Sequence, residues 1–172
     1  MLTYTINGKD YGVCQLACGV SVLDPDTHEW VDCDLVSTSP EPAFIWEGTT
    51  VYLSRPKKVT IDEFNALAKE VNGEHWRYHE LEDAFVCMVL TEGLTSLKFS
   101  VPMATGYLLY DPYKTATRIC HITEKRYKII RQYKIELECD NPEVGVMKSD
   151  SWYLSDFMHY LADGTITVMK SY

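Results

Sequence analysis

Six cysteines and five histidines are the side chains through which this chain could do metal or covalent chemistry. Cys14 and Cys18, with His28 and Cys33 downstream, hold enough thiolate and imidazole to bind zinc. Structural zinc sites pair their ligands roughly two to four residues apart twice over, and here only one close pair exists. On a strand, Cys14 and Cys18 would stand about 13 Å apart, too far to share an ion. The segment reads as the packed core of a hairpin, and no metal site is expected.

His75 and His79 have the i, i+4 spacing that puts two imidazoles on one helix face, with Glu82 and Asp83 following. Hydrolytic zinc helices place Glu directly after the first His, where this chain has Trp76. Cys120 and His121 are adjacent, but on a strand adjacent side chains point to opposite faces. Cys14 and Cys18 have small flanking residues of the kind some nucleophiles use at turns, as do many inert thiols. A small Cys- or His-dependent enzyme built on Cys14, Cys18, His75 or His79 is therefore the alternative reading. The glycines form no phosphate-binding loop of the P-loop or Rossmann type, so no cofactor is expected.

The net charge of −9 argues against sequence-independent binding to a nucleic-acid backbone, which needs clustered Lys and Arg. One basic run interrupts the acidity: Lys125, Arg126, Lys128, Arg131 and Lys134, interleaved with Tyr127 and Tyr133. Cations between aromatics can grip phosphates and stack on bases, which makes residues 125–134 a second alternative, a nucleic-acid contact. The same string suits an ordinary strand whose outer face is kept soluble by Lys and Arg. Twelve tyrosines and four tryptophans shift the balance toward binding, because Tyr and Trp dominate interface hot spots. Tyr110, Tyr113, Trp152 and Tyr153 are candidate contact residues, with Tyr11, Trp46, Tyr107 and Tyr172 also at predicted loops or strand ends. Glu136, Glu138, Asp140 and Glu143 are candidate surface carboxylates.

The leading expectation is a non-catalytic binding protein that engages another macromolecule, a protein partner, through an acidic and aromatic surface. One version is an inhibitor or decoy that offers carboxylates where a nucleic-acid-handling partner expects phosphates. In size, acidity and lack of motifs the chain is similar to the compact proteins of phages and mobile elements that block a host machine.

The elements that must position these residues follow from hydrophobic period and turn chemistry. A chain of 172 residues buries roughly 70% of its unfolded surface and can fold without disulfides. With 46% hydrophobic and 24% charged residues it lies in the globular range. It has no linker-like tract, and a single α+β domain over 1–172 is expected. No apolar run reaches the ~18 residues of a membrane span, and the N-terminus lacks a secretory pattern. A cytoplasmic protein with reduced cysteines is expected.

Asn7-Gly8 predicts a hairpin between Thr3–Ile6 and a strand from Tyr11. Asp24-Pro25-Asp26-Thr27 predicts another between Val20–Leu23 and Trp30–Val36, and Glu47-Gly48 a third between Phe44–Trp46 and Thr50–Leu53. Thr60-Ile61-Asp62-Glu63 is a capping box opening a helix whose stripe is Ile61, Phe64, Leu67, Ala68 and Val71, stopped at Asn72-Gly73. Glu74 to Asp83 suits either a short helix or a strand. Ala84–Leu90 and Leu94–Val101, separated by Thr91-Glu92-Gly93, read as a hairpin rich in β-formers. Further strands are predicted at Gly106–Tyr110, Thr117–Ile122 and Arg126–Cys139, then a helix over Ser151–Leu161 and an edge strand Thr165–Met169. The sum is a mainly antiparallel sheet built from hairpins with two α-helices packed on it.

Overall fold

At Asn7-Gly8 the backbone takes φ of 51° and 80°, and at Glu47-Gly48 it takes 47° and 79°. Paired left-handed residues of this kind match the right-handed twist of flanking strands, so each dipeptide closes a two-residue hairpin. The first joins β1 (Leu2–Ile6) to β2 (Lys9–Leu16), and the second joins β5 (Ala43–Trp46) to β6 (Thr49–Tyr52). The Thr49 hydroxyl donates to Asn7 Oδ1 at 2.8 Å, which ties one turn to the other. A computed structural model of the chain describes residues 1–94, 96–102, 115–124, 133–139, 150–164 and 166–169.

β3 (Gly19–Leu23) and β4 (Trp30–Cys33) extend the first hairpin into a four-stranded antiparallel sheet in the order β1-β2-β3-β4. Tyr4 pairs with Tyr11, Leu2 with Val13 and Val13 with Val22, so these residues share one face, and all are buried. Tyr4 donates its hydroxyl to the Leu53 carbonyl at 2.6 Å. Burial, with the Cys87 thiol as a lesser influence, pushes the Tyr4 hydroxyl pKa well above its ordinary value, so it stays a donor.

α1 (Ile61–Val71) begins at Thr60 with both halves of the capping box formed: the Glu63 N–H donates to Thr60 Oγ1 at 3.1 Å, and the Thr60 N–H to Glu63 Oε2 at 3.2 Å. It stops at Asn72, in the left-handed conformation. A single 3-10 turn (His75–Arg77) leads into α2 (Tyr78–Glu92), which resolves the ambiguous 74–83 segment as helical. Arg77 braces this corner, reaching Glu70 at 3.0 Å and Glu80 at 2.9 Å.

The expected strand at Ala84–Leu90 is instead the body of α2. Leu81 and the run Phe85–Val89 are buried without a break, so α2 lacks the polar stripe that would reveal its 3.6-residue period. A short apolar run of this kind cannot be told from a buried strand by period alone. Gly93, read in the sequence as a hairpin turn, is the helix stop: at φ 61° its N–H donates to the Val89 carbonyl.

The second sheet contains β7 (Ser96–Pro102), β8 (Thr115–Glu124), β9 (Tyr133–Cys139), β10 (Asp150–Tyr153) and β11 (Thr167–Met169), in the order β10-β9-β8-β7-β11. Every pairing among the described residues is antiparallel, and β11 lies at an edge as the sequence indicated. The expected strands at Gly106–Tyr110 and over 126–132 lie outside the described residues. α3 (Leu154–Ala162) starts a little later than expected, because β10 takes its first residues. The chain is thus an α+β protein with three described α-helices, one more than expected. Phe64, Phe85, Phe157, Leu97 and Val168 join the buried face of the first sheet in one apolar cluster.

Carboxylates at the surface hold this frame by charge-assisted bonds, with a consequence in acid. Lys57 bonds Asp10 at 2.7 Å, the Asp26 N–H and Lys9 hold Asp24, the Ser54 hydroxyl and Arg55 hold Glu41, and Arg77 holds Glu80. In that order, these donors keep all four carboxyls below the usual carboxylate range. A carboxyl whose pKa is depressed on folding adds stability above its unfolded value, near pH 4, and loses it as pH falls through the folded value. Urea midpoints are therefore expected to hold down to about pH 4 and drop below it. Asp24→Asn should flatten that drop; a midpoint that rose on acidification would contradict the assignment.

Candidate functional site

The thiols and imidazoles that the sequence set side by side are dispersed by the fold. Cys14 pairs with Ser21, while Cys33 pairs with Val20, the partner of Gln15, so Cys14 and Cys33 lie on opposite faces of the first sheet. Cys18 sits exposed between β2 and β3, and His28 lies in the β3–β4 turn at φ 58°. Cys14, Cys18, Cys33 and Cys87 are free thiols. Burial first, then the neighbouring Asp32 and Asp34, push the Cys33 thiol pKa up, opposite to what an activated nucleophile needs. Among the described residues, no group of three or more His, Cys, Asp and Glu is placed to hold a metal ion.

His75 packs edge-on against Tyr78, with ring centres 4.8 Å apart, and His79 Nδ1–H donates to the Trp76 carbonyl at 3.0 Å. A cleft of about 480 Å³ beside α2 is lined by Lys57, Lys58, Glu63, His79 and Cys87, among others. Eight residues separate His79 from Cys87 along one helix, a rise of about 12 Å, so the two cannot form a nucleophile–base pair. Lys57 and Lys58 are already matched by Asp10 at 2.7 Å and Glu92 at 3.5 Å.

One polar chain went unforeseen in the sequence. Tyr78 on α2 bonds His159 Nδ1 on α3 at 3.0 Å, and His159 Nε2 lies 3.6 Å from Asp163. The three residues are 81 and four positions apart, so no local pattern announced them. The Tyr78–His159 hydrogen bond joins the two helices, with the Asp163 carboxylate near the other ring nitrogen.

The surface that stands apart is β4. It is the last strand of its sheet and pairs only with β3 among the described residues. Trp30 is 49% and Val31 44% exposed, on opposite faces of the strand. The Asp24 N–H donates to the Glu29 carbonyl at 3.0 Å, which marks that pair as hydrogen-bonded. Antiparallel pairs alternate, so Val31 and Cys33 face β3, while the N–H and C=O groups of Trp30 and Asp32 face away from the sheet. β4 is seated closely on β3 at Gly19, where a Cβ would clash with the Cys33 carbonyl oxygen.

Charge follows the same strand. Glu29, Asp32 and Asp34 are exposed, and no cation interrupts residues 29–34. In the adjoining turn Lys9 engages both Asp24 and Asp26, whereas no ion pair to Glu29, Asp32 or Asp34 is found among the described residues. Trp76, at 71% exposure, is a second bare tryptophan, next to the Arg77 guanidinium 5.8 Å from its ring centre.

Of the aromatic residues singled out in the sequence, Tyr11 is buried and Trp46 half-buried, the two rings packed edge-on at 5.5 Å. They belong to packing, because strand alternation turns them inward. Glu136 and Glu138 lie on β9 opposite His121 and Ile119 of β8, and Glu136 also lies opposite Ser151 of β10. Tyr153 pairs with Lys134 and Trp152 with Ile135, so the register places Tyr153 on the face of Lys134, Glu136 and Glu138, and Trp152 on the other. Tyr110, Tyr113, Asp140, Glu143, Lys125, Arg126, Lys128 and Arg131 lie outside the described residues. No helix among the described residues is long and apolar enough to cross a membrane. Comparison with protein-family models, curated proteins and solved structures finds no match for this chain.

Proposed function

We propose that this chain is a non-catalytic binding protein that engages a basic protein partner through an acidic and aromatic surface. The observation that carries the reading is the open edge β4, where Trp30 and Val31 are exposed on the two faces of a strand flanked by carboxylates with no ion pair among the described residues. An exposed aromatic beside charges of one sign has the makeup of an interface: the ring supplies contact area, and the charges steer the encounter. Glu136, Glu138 and Tyr153, on one face by register, are a second candidate patch of the same chemistry. The role that fits is an inhibitor or decoy of the type carried by phages and mobile elements, working in the cytoplasm with its thiols reduced.

The test is quantitative capture from a lysate of the source organism, with the wild-type chain compared against Trp30→Ala and Trp76→Ala. Both rings are largely exposed, so the fold should survive their loss. Loss of a hot-spot tryptophan is expected to weaken capture by at least about 2 kcal/mol, roughly 30-fold, and added salt should weaken it further. A purified chain that enriched no protein but turned over a small molecule would overturn the proposal.

A further inference from the structure

Resting on that reading, we infer that the β4 edge binds its partner by strand addition: an extended cationic segment of another protein pairs with Trp30 and Asp32 as a fifth strand of the first sheet. The outward N–H and C=O groups of these two residues have no hydrogen-bond partner among the described residues, and together they form a template for one more strand. Trp30 on one face and Val31 on the other offer apolar contact to alternate side chains of the incoming strand.

Charge selects the occupant. Among the described residues no ion pair reaches Glu29, Asp32 or Asp34, while Lys9 serves the neighbouring Asp24 and Asp26, so unmet negative charge lies along the edge itself. A second copy of this chain is the poorer fit. Pairing β4 with itself would double the carboxylates at one junction, and like charges across a strand pair destabilise it. A segment alternating Lys or Arg with β-formers meets both demands.

The test uses the full chain and a synthetic peptide of about ten residues, alternating Lys with Val or Thr. Its first control carries Glu in place of Lys, and its second carries N-methyl groups on alternate residues, which remove the pairing edge. The wild-type chain is expected to bind the Lys peptide about tenfold or more tighter than either control. Asp32→Pro deletes the outward donor while leaving the β3 ladder in place, and it should abolish that binding. Glu29→Lys/Asp32→Lys/Asp34→Lys keeps the backbone and should reverse the preference toward the Glu peptide, which covers the case in which the proline variant fails to fold. Equal binding of all three peptides, no binding of the Lys peptide, or undiminished binding by a folded Asp32→Pro chain would overturn strand addition. So would a dimer of the wild-type chain in sedimentation that Asp32→Pro dissolves, since the edge would then serve a second copy. Lysate capture by the wild-type chain that persists in Asp32→Pro would leave the binding function standing and remove only this mode of docking.

Discussion

Replacing Phe64 by alanine is expected to destabilise the chain by about 3 to 5 kcal/mol, the range for deleting a buried phenyl ring. The ring is 0% exposed, and it lies 6.0 Å, centre to centre, from that of Phe85. α1 has only 11 residues, and isolated helices of that length are marginal in water, so this face is what holds it. Urea unfolding of Phe64→Ala measures the loss directly, as a lower midpoint with an unchanged slope. A loss below about 1 kcal/mol would place the ring outside the core and make α1 a candidate docking surface instead.

Phe85→Ala is expected to cost as much or more within the same range of about 3 to 5 kcal/mol, because this ring is shared by three helices. It packs against Phe64 of α1 at 6.0 Å and edge-on against Phe157 of α3 at 5.7 Å. Aromatic pairs of this geometry add about 0.5 to 1.5 kcal/mol beyond area burial. The double variant should therefore lose less than the sum of the two single losses, with a coupling of that size in a double-mutant cycle. Additive losses would mean that the two rings do not act on each other.

Legibility along the chain follows the range of the forces involved. The Asn7-Gly8 and Glu47-Gly48 turns and the Thr60 capping box were readable because their determining contacts lie within about four residues. The stripe of α1 was readable because one face of that helix meets water. α2 was not, since burial on nearly all sides erased its period and left a run of β-formers that any short strand could share. The spacing of Cys14, Cys18, His75 and His79 acquires meaning only once faces are assigned, and among the described residues they join no group of three or more that could hold a metal ion. Tyr78, His159 and Asp163 meet across α2 and α3 with nothing in the sequence to join them.

The amino-acid sequence by itself determined an acidic, aromatic-rich α+β chain, its tight turns, its first helix and the alternation of its hairpins. These depend on residue type and near neighbours. Tertiary structure alone decided which strand ends its sheet. Glu29-Trp30-Val31-Asp32 reads like any half-buried strand, and Trp30 would be core if another strand followed it. Being an edge depends on the order in which distant segments pair, so the outward N–H and C=O groups of β4, unpaired among the described residues, follow from its place at the end of the order β1-β2-β3-β4.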